Sequence, residues 1–260
     1  MKQVRPKKNL GQHFLTDLNI ARRIADTVDA CPGLPVLEVG PGMGVLTQYL
    51  AEKARPLKVV EIDKESVEYL NAKYPCLADN IIGEDFLLMD LTKVFEGQSF
   101  VMTGNYPYDI SSQIFFKMID NRDIIPCCTG MIQREVALRM ASQPGNKQYG
   151  ILSVLMQAWY HVEYLFTVDE GVFNPPPKVK SAVIRMTRNS TEHLGCDENL
   201  FKRVVKAVFN QRRKMLRVSL RQVCPNAPAS FFQQPIMTSR PEQLSISQFI
   251  ELTNRVAPLL

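Results

Sequence analysis

The sequence predicts an α/β fold, in which a doubly wound parallel sheet is followed by a smaller all-helical C-terminal domain. Strand-like and helix-like segments alternate up to about residue 190 of the 260-residue chain. This alternation is typical of a parallel sheet with crossover helices. From Asn199 onwards only helical patterns occur. We therefore expect two domains, over residues 1–190 and 191–260, separated by a polar stretch.

Apolar patterns locate the individual elements. Asp17 is expected to cap a first helix that runs to about Ala30. The predicted strands cover residues 36–39, 57–61, 81–83, 100–103, 127–133, 162–168 and 182–187. The predicted helices after the first cover residues 44–54, 64–73, 110–121, 134–142, 151–159 and 246–257. Ser245 and Gln248 form a capping box at the start of the last helix.

Composition excludes several classes of protein. Hydrophobic residues make up 45% and charged residues 22% of the chain, as in ordinary globular domains. No apolar stretch approaches the ~20 residues that would span a bilayer. The basic N-terminus lacks the apolar region of a secretory signal. The six cysteines and three histidines are scattered without metal-ligand spacing. We therefore expect a cytoplasmic monomer without a bound metal.

The positive charge is concentrated at one end of the sequence. Residues 189–260 contain ten Lys and Arg but five Asp and Glu, which accounts for the whole net charge of +5. Residues 1–188 contain 21 of each sign and are neutral. A localised basic surface is typical of proteins that bind nucleic acid. Charge alone leaves open that it is only a solvated face.

A glycine-rich turn follows the first strand, in the sequence Val-Leu-Glu-Val-Gly-Pro-Gly-Met-Gly over residues 36–44. Glycines let the backbone approach a ligand closely, and the next helix supplies free N–H donors. Glu61 closes the second strand, where its carboxylate can accept hydrogen bonds from ribose hydroxyls. Asp85 closes the third strand, where it can bind an adenine amine. Two acids in register with a glycine turn predict a nucleoside-binding site.

The spacing of the glycines indicates which cofactor binds there. Gly40, Gly42 and Gly44 follow a G-x-G-x-G pattern rather than the G-x-G-x-x-G pattern of pyrophosphate-binding domains. The pattern therefore favours a cofactor without phosphates, such as S-adenosylmethionine. A nicotinamide-dependent dehydrogenase is the alternative at this point.

The end of the fourth strand argues against a dehydrogenase. It continues into Asn105-Tyr106-Pro107-Tyr108. The proline removes a donor and leaves carbonyl groups free. The Asn side chain, a free carbonyl and an aromatic ring are the groups that hold a flipped-out adenine. An ordinary Asn-Tyr-Pro turn is the alternative, but its position behind a cofactor turn favours a base-binding site.

These motifs resemble those of the ribosomal small-subunit RNA adenine dimethyltransferases, the KsgA family. Six segments carry the resemblance, which extends over nearly the whole chain: KKNLGQHFL at 7–15, LEVGPG at 37–42, NYPY at 105–108, FNPPPKVKS at 173–181, FNQRRKML at 209–216 and RPEQL at 240–244. The chain departs from the family pattern at Tyr106, where an aliphatic residue is usual. The resemblance implies a Rossmann-like class I methyltransferase sheet with S-adenosylmethionine as the cofactor.

The resemblance also implies roles for individual residues. The residues expected to contact the cofactor are His13, Leu15, Gly40, Glu61, Asp85 and Asn105. Asn105 would also contact the target amine, beside Pro107. Tyr108 and Phe173 would stack on the adenine, although Phe173 is equally well explained as a core anchor for its Pro-rich loop. Hydrogen bonds from the N6 amine to the Asn105 oxygen and to the Tyr106 or Pro107 carbonyl would orient the nitrogen lone pair towards the methyl donor.

The second domain is expected to bind the RNA backbone. If residues 199–222 form one helix, seven cations fall within an arc of about 120°, opposite the apolar residues. The cations are Lys202, Arg203, Lys206, Arg213, Lys214, Arg217 and Arg221. Arg213, Lys214, Arg217 and Arg221 are the predicted RNA contacts. Such a stripe binds phosphates and gives affinity rather than sequence choice.

The resemblance implies dimethylation of the N6 amines of two adjacent adenosines in a 3′-terminal hairpin of 16S ribosomal RNA. The partner would be the small ribosomal subunit, late in its assembly. A DNA adenine methyltransferase is one alternative, but no insertion is large enough for major-groove readout. A non-catalytic RNA-binding assembly or transcription factor is the other, and it would tolerate loss of the cofactor residues, all of which are present.

Overall fold

The structure of the chain is a computed structural model that describes residues 4–7 and 10–260. Lys8 and Asn9 of the N-terminal motif lie outside these residues. Two compact units are present. The first comprises the chain up to Ala137 together with Val162–Arg188, and the second comprises Leu138–His161 and Asn189–Leu260.

The strands follow the predicted order. They are β1 Phe14–Leu15, β2 Val36–Val39, β3 Leu57–Val60, β4 Ile81–Ile82, β5 Val101–Thr103, β6 Cys127–Gln133, β7 Tyr160–Val168, β8 Phe173–Asn174 and β9 Ser181–Arg188. Seven of them form one sheet in the order β4-β3-β2-β5-β6-β9-β7. The pairs from β4 to β6 are parallel, and β6 pairs with β9 in the antiparallel direction. The predicted α/β class with a mostly parallel sheet is confirmed.

The helices lie between and after these strands. They are α1 Leu18–Asp26, α2 Thr47–Leu50, α3 Lys64–Lys73, α4 Ser111–Asp120, α5 Arg134–Ala141, α6 Ile151–Gln157, α7 Glu198–Asn210, α8 Leu216–Ser219, α9 Ala229–Phe232 and α10 Ile246–Val256. Asp17 caps α1 by accepting from the N–H groups of Asn19 and Ile20. The predicted capping box of α10 is confirmed, because Ser245 and Gln248 exchange hydrogen bonds.

Two predicted helices are shorter in the structure. The helix expected over 44–54 is confined to α2, because the glycine turn continues through Leu46. The single helix expected over 199–222 is wrong. α7 ends at Asn210, and Gln211 leaves the helical region with φ −115° and ψ 42°. The N–H of Leu216 then donates to the Ser239 carbonyl at 2.9 Å, so a tertiary contact redirects the chain.

The division between the units differs from the prediction in one segment. Residues 138–161, which we assigned to the first domain, belong to the second unit. There Tyr149 meets Phe209 of α7 edge-on, with ring centroids 6.1 Å apart. The apolar residues of α6, Val154 to Met156, are buried. The sequence of an apolar helix does not indicate which unit the helix packs against, so the sequence alone could not place this segment in the second unit.

A second, two-stranded sheet joins the N-terminal arm, which we define as residues 10–15, to the Pro-rich loop. β1 and β8 are antiparallel, with Phe14 opposite Asn174 and Leu15 opposite Phe173. Leu15 and Phe173 belong to the same apolar core as α1 and the central strands. In the described part of the chain, no helix has the length and apolar character required to cross a membrane.

Candidate active site

A cleft of about 250 Å³ opens at the carboxyl ends of the parallel strands. The residues that follow β2, β3, β4 and β5 form its walls, and the N-terminal arm closes one side. Ligands of doubly wound sheets bind at this edge, because the loops after parallel strands converge there. The cleft lies entirely within the first unit.

The glycine turn after β2 gives the cleft an open backbone surface. Gly40 has a φ of +70°, and its N–H donates to the Val60 carbonyl at 2.9 Å. Even a Cβ at Gly40 would meet no atom closer than 3.8 Å, so the space beside it is available to a ligand. At Gly42 the opposite holds, because a Cβ there would lie 2.9 Å from the Phe14 ring. Glycine at this position lets the arm pack against the turn.

Glu61 is positioned by two backbone donors. Its carboxylate oxygens accept from the Gly42 N–H at 3.0 Å and the Asp63 N–H at 2.9 Å. The residue is only 5% exposed. Burial raises the pKa of Glu61, although both hydrogen bonds oppose that shift. Since a carboxylate oxygen can accept more than one hydrogen bond, Glu61 keeps acceptor capacity for a ligand hydroxyl.

Glu38 is an acid of the cleft that the sequence analysis missed. It lies in the middle of the buried strand β2, is 1% exposed and accepts from the Thr47 hydroxyl at 2.6 Å. Burial raises the pKa of Glu38 to about 8, and the nearby Glu61 adds to the shift. An acid inside a buried strand is itself an unusual sequence signal, since buried strands are otherwise apolar.

The charge of the lining distinguishes between candidate cofactors. Five carboxyl groups line the cleft: Glu38, Glu61, Glu84, Asp85 and Asp109. No Lys or Arg in the described ranges 4–7 and 10–260 does so. Phosphates would be repelled, whereas S-adenosylmethionine has two cationic groups, one carboxylate and no phosphate. The lining therefore fits this cofactor and argues against a dinucleotide.

The loop after β4 carries Asp85 and is fixed from α4. The carboxylate of Asp85 accepts from the Leu87 N–H at 2.8 Å. The Lys117 ammonium donates to the carbonyls of Leu87 at 2.9 Å and Met89 at 2.5 Å. Ile62 also lines the cleft and is 52% exposed, which gives an apolar face for a nucleoside base. Neither Lys117, which acts through a tertiary contact, nor Ile62, which directly follows Glu61, is among the predicted site residues.

The turn after β5 presents polar groups to the cleft. The Asn105 side-chain nitrogen donates to the His13 carbonyl at 3.0 Å. The side-chain oxygen of Asn105 is therefore left as an acceptor. The Pro107 carbonyl accepts from the Ile110 N–H at 3.3 Å. Among the described residues, no donor reaches the Tyr106 carbonyl. Of the two carbonyls expected to bind the amine, that of Tyr106 therefore keeps both lone pairs for a ligand.

The side chain of Tyr106 explains how this chain departs from the family pattern. It is 1% exposed, and its hydroxyl donates to the Thr129 carbonyl at 2.7 Å. Its ring meets Phe115 edge-on at 5.4 Å. A Cβ at Gly130 would lie 2.3 Å from the Gly104 carbonyl oxygen and 2.7 Å from the Tyr106 ring, so glycine at this position accommodates both the neighbouring backbone and the ring. The side chain points into the core, and the backbone of Tyr106 faces the cleft.

Aromatic residues and the arm complete the site. Tyr108 is half-buried, stacks on the His13 ring at 5.6 Å and hydrogen-bonds Ser181 through its hydroxyl. The His13 Nδ1 lies 2.8 Å from the Pro175 carbonyl and therefore carries the proton, since a carbonyl only accepts. Phe173 requires a correction. It is 4% exposed, packs in the core opposite Leu15 and does not line the cleft. The core-anchor explanation of Phe173 is therefore the one that its position supports.

The predicted RNA contacts lie in the second unit. Arg213, Lys214, Arg217 and Arg221 are all exposed. They do not share one helical face, because the chain turns between α7 and α8. In the described part of the chain, the side chains of Arg213, Lys214 and Arg217 form no hydrogen bond or ion pair, and Arg221 lies over the Phe232 ring at 4.5 Å. Among all the residues that the structure describes, no cluster of His, Cys, Asp and Glu could hold a metal ion.

The fold and the cleft define the class of protein. A mostly parallel seven-stranded sheet with an acid-lined cleft at its carboxyl edge is the architecture of class I methyltransferases. The model of the family described as ribosomal RNA adenine dimethylase matches residues 3–257. The chain belongs to this family, whose members carry out S-adenosylmethionine-dependent dimethylation of adenine in ribosomal RNA.

Individual relatives agree with this assignment. The chain is 66% identical over 258 residues to ribosomal RNA small subunit methyltransferase A of Phocaeicola vulgatus, covering 99% of this chain and 91% of that protein. It is 65% identical to the protein of the same name from Bacteroides fragilis, over 100% of this chain and 95% of the relative. The crystal structure of the 23S rRNA methyltransferase ErmE is 28% identical, with a TM-score of 0.65 over 94% of this chain and 99% of that one. A dimethyladenosine transferase from Plasmodium falciparum shares the fold, with a TM-score of 0.78 at 22% identity over 94% of this chain and 98% of that one.

Proposed function

We propose that this chain dimethylates the N6 amines of two adjacent adenosines in a 3′-terminal hairpin of 16S ribosomal RNA, within the small ribosomal subunit. One observation carries the proposal: Asn105 and Tyr108 line the same cleft as five carboxyl groups. Among the described residues, no Lys or Arg lines this cleft. The relatives named as small-subunit methyltransferases support the choice of RNA.

The cofactor would be held by groups from three loops, those after β2, β3 and β4. S-adenosylmethionine, when bound, supplies an electrophilic methyl group on a sulfonium. Gly40 would approach its methionine part, Glu61 its ribose hydroxyls and Asp85 its adenine amine. Ile62 would cover one face of that adenine. The carboxyl groups of the cleft favour a cationic ligand, because a buried negative charge gains stability from a nearby positive one.

The target adenine would be held by the turn after β5. The Asn105 side-chain oxygen and the Tyr106 carbonyl would accept the two N6 hydrogens. Pro107 leaves this carbonyl surface open, since it contributes no N–H donor. Tyr108 would stack on the base, and its own ring is already supported by His13 and Ser181. Stacking on one aromatic side chain contributes ~1–3 kcal/mol per base.

The chemistry would depend on orientation rather than on a strong base. The lone pair of the N6 nitrogen is delocalised into the ring, so the amine is a weak nucleophile. When the amine donates both hydrogens to these two acceptors, a more tetrahedral nitrogen is favoured, and its lone pair points towards the methyl donor. The nitrogen would become acidic as its bond to carbon forms, and it would release a proton to water. Most of the acceleration would then come from placement and electrostatics.

The second unit would supply affinity for the RNA backbone. Arg213, Lys214, Arg217 and Arg221 are exposed cations on one short stretch of chain. Cations of this kind bind phosphates and release counterions, which makes binding depend on salt. They do not read bases, so the choice of adenosine would come from the cleft and the shape of the RNA.

The test is methylation of small ribosomal subunits isolated without their adenine methyl groups. The protein and labelled S-adenosylmethionine are added, and the RNA is digested and examined by mass spectrometry. We expect N6,N6-dimethyladenosine in a single 3′-terminal fragment. An Asn105→Ala protein with an unchanged melting temperature is the matched control. Methylation of duplex DNA instead, or a product other than dimethyladenosine, would contradict the proposal.

A further inference from the structure

Lys7, which precedes the N-terminal arm, and Gln12, which belongs to it, both contact the buried carboxylate of Asp63. Asp63 is 4% exposed and immediately precedes α3. The Lys7 ammonium forms an ion pair with its carboxylate and also lies 3.4 Å from Glu65. Gln12 accepts from the Lys7 N–H at 2.9 Å through its side-chain oxygen, and its side chain also interacts with Asp63. The Lys and Gln of the N-terminal motif therefore meet at one carboxylate.

The carboxylate of Asp63 is fixed in its charged form. Burial by itself would raise the pKa of Asp63, but the hydrogen bonds from Lys7 and Ser66 outweigh it and hold the pKa below its ordinary value. The Ser66 hydroxyl donates to the second carboxylate oxygen at 2.8 Å. A buried carboxylate that loses its cationic partner is strongly destabilised. Asp63 therefore favours the arrangement in which Lys7 stays in place.

Asp63 also contacts the cofactor side of the cleft. Its N–H donates to the Glu61 carboxylate at 2.9 Å, two residues earlier in the chain. The arm that starts beyond Lys7 lines the cleft from Leu10 to Leu15. Within it, the His13 carbonyl accepts from the side-chain nitrogen of Asn105 at 3.0 Å. The ion pair, the arm and the Asn105 amide thus form one continuous set of contacts.

The far end of the arm has its own attachment. β1 pairs with β8, and His13 hydrogen-bonds the Pro175 carbonyl. Without the Lys7–Asp63 pair, the arm would keep this attachment but lose its ion pair at the other end. The stretch from Leu10 to Gln12 would then open more easily, and the His13 carbonyl that orients Asn105 would be held less firmly.

We propose that Asp63 is a positioning residue that binds Lys7 and thereby holds the N-terminal arm closed over the cofactor cleft, with Asn105 oriented by the arm. This inference rests on the proposed function for the identity of the cofactor, but the closure of the arm is a property of the free chain. It gives the Lys and Gln of the N-terminal motif a role that direct contact with a ligand does not supply.

The first test measures closure without any ligand. Hydrogen exchange is followed by mass spectrometry on the peptide that contains residues 10–15, in the wild type, Lys7→Met, Lys7→Arg and Lys64→Met. Lys64 is an exposed lysine beside Asp63 and serves as the matched control. We expect exchange of the arm to become about tenfold faster in Lys7→Met only, because the local opening is easier. Equal exchange in Lys7→Met and wild type would overturn the proposal.

The second test measures the consequence for the cofactor. Calorimetric titration of the same proteins with S-adenosylmethionine should show affinity about tenfold weaker for Lys7→Met and near wild type for Lys7→Arg. Asp63→Asn should resemble Lys7→Met, and the double variant should lose little more than either alone, as expected of two members of one pair. Failure of Lys7→Arg to restore affinity, or additive losses, would show that the ion pair is not the cause.

A split between kinetic constants separates positioning from loss of fold. Lys7→Met should raise KM for S-adenosylmethionine and also lower kcat at saturation, since Asn105 loses its support, and both changes should exceed what any loss of folded protein accounts for. A fall in kcat that follows the folded fraction alone would overturn the positioning role. If the wild type binds no S-adenosylmethionine, the cofactor assignment fails, and hydrogen exchange still decides whether the ion pair closes the arm.

Discussion

The cleft of the first unit and the cationic residues of the second unit use charge in different ways. In the cleft, Glu38 and Glu61 are buried, and defined donors hold each carboxyl group. In the second unit, Arg213 and Lys214 are exposed, and no ion pair fixes them among the described residues. Buried carboxyl groups act through their position, because each hydrogen bond is stronger in a low-dielectric site. Exposed charges act through their total number, because water and salt screen the interaction of each one.

This contrast has a consequence for mutation. Single mutations of cleft residues should each have a large effect on activity, and these effects should not add, because the residues form one connected set of contacts. Mutations of the exposed cations should each weaken RNA binding by a small amount, and these losses should add. Arg212 shows that sequence type alone does not separate the two groups. It belongs to the same basic motif as Arg213, yet its guanidinium donates to the Asn146 carbonyl at 3.3 Å and holds a loop of the second unit.

The largest effect is expected at Asn105. Asn105→Ala should reduce single-turnover methyl transfer by about 10²-fold or more, because the lost group orients the nucleophile in the transition state. Affinity for S-adenosylmethionine should change little. Asn105→Asp provides a matched variant that keeps an acceptor oxygen but has no N–H to donate to the His13 carbonyl. Near-normal turnover by a folded Asn105→Ala would contradict the proposed mechanism.

The next effect is expected at Glu61. Glu61→Ala should weaken S-adenosylmethionine binding by ~1.5–3 kcal/mol, the range of hydrogen bonds to a charged group. Titration calorimetry measures this directly, and Glu61→Gln should retain part of the affinity, since its side-chain oxygen still accepts. Unchanged affinity in Glu61→Ala would remove this residue from the cofactor site and weaken the contrast between the two regions.

The pH dependence of stability tests the burial of Glu38. Its pKa rises from 4.5 in the unfolded chain to about 8 in the folded one. The folded chain therefore keeps a proton that the unfolded chain has lost, so stability must fall as pH rises from about 5 to about 8. The slope is at most ~1.4 kcal/mol per pH unit for one group.

Urea unfolding at several pH values measures this slope. Glu38→Gln should flatten it, because the amide keeps an acceptor for the Thr47 hydroxyl but does not titrate. Glu68→Gln is the control, since Glu68 is exposed. A slope that survives in Glu38→Gln would assign the titration to another group, of which Glu61 is the first candidate because its pKa is also raised.

The smallest effects are expected from single exposed cations. Replacing Arg213, Arg217 or Arg221 by Gln should lower the salt slope of RNA binding by ~0.7–0.9 for each lost phosphate contact. The three losses should add, and cofactor affinity should remain constant. Lys93→Gln is the control, since Lys93 is 82% exposed in the first unit. If the slope does not move in the triple variant, these residues are only a solvated face.

Local signals predicted much of the fold and the cleft. β2, β6 and α3 have the bounds that their apolar patterns predict. His13, Leu15, Gly40, Glu61, Asp85, Asn105, Pro107 and Tyr108 line one cleft, as the motifs predict. The reason is geometrical: carboxyl ends of parallel strands share one edge, so an acid or a turn at the end of each strand is placed there by the strand pattern alone.

Only the tertiary structure decided the rest. Phe173 is directed into the core by its pairing with Leu15, which lies more than 150 residues away in the chain. α7 ends at Asn210 because the next segment bonds the Ser239 carbonyl, a partner that no helical period reveals. Lys117 and Asp63 act through groups from other elements. The sequence by itself determined which residues reach the sheet edge, because periodicity is local, whereas each side chain's partner depends on long-range packing.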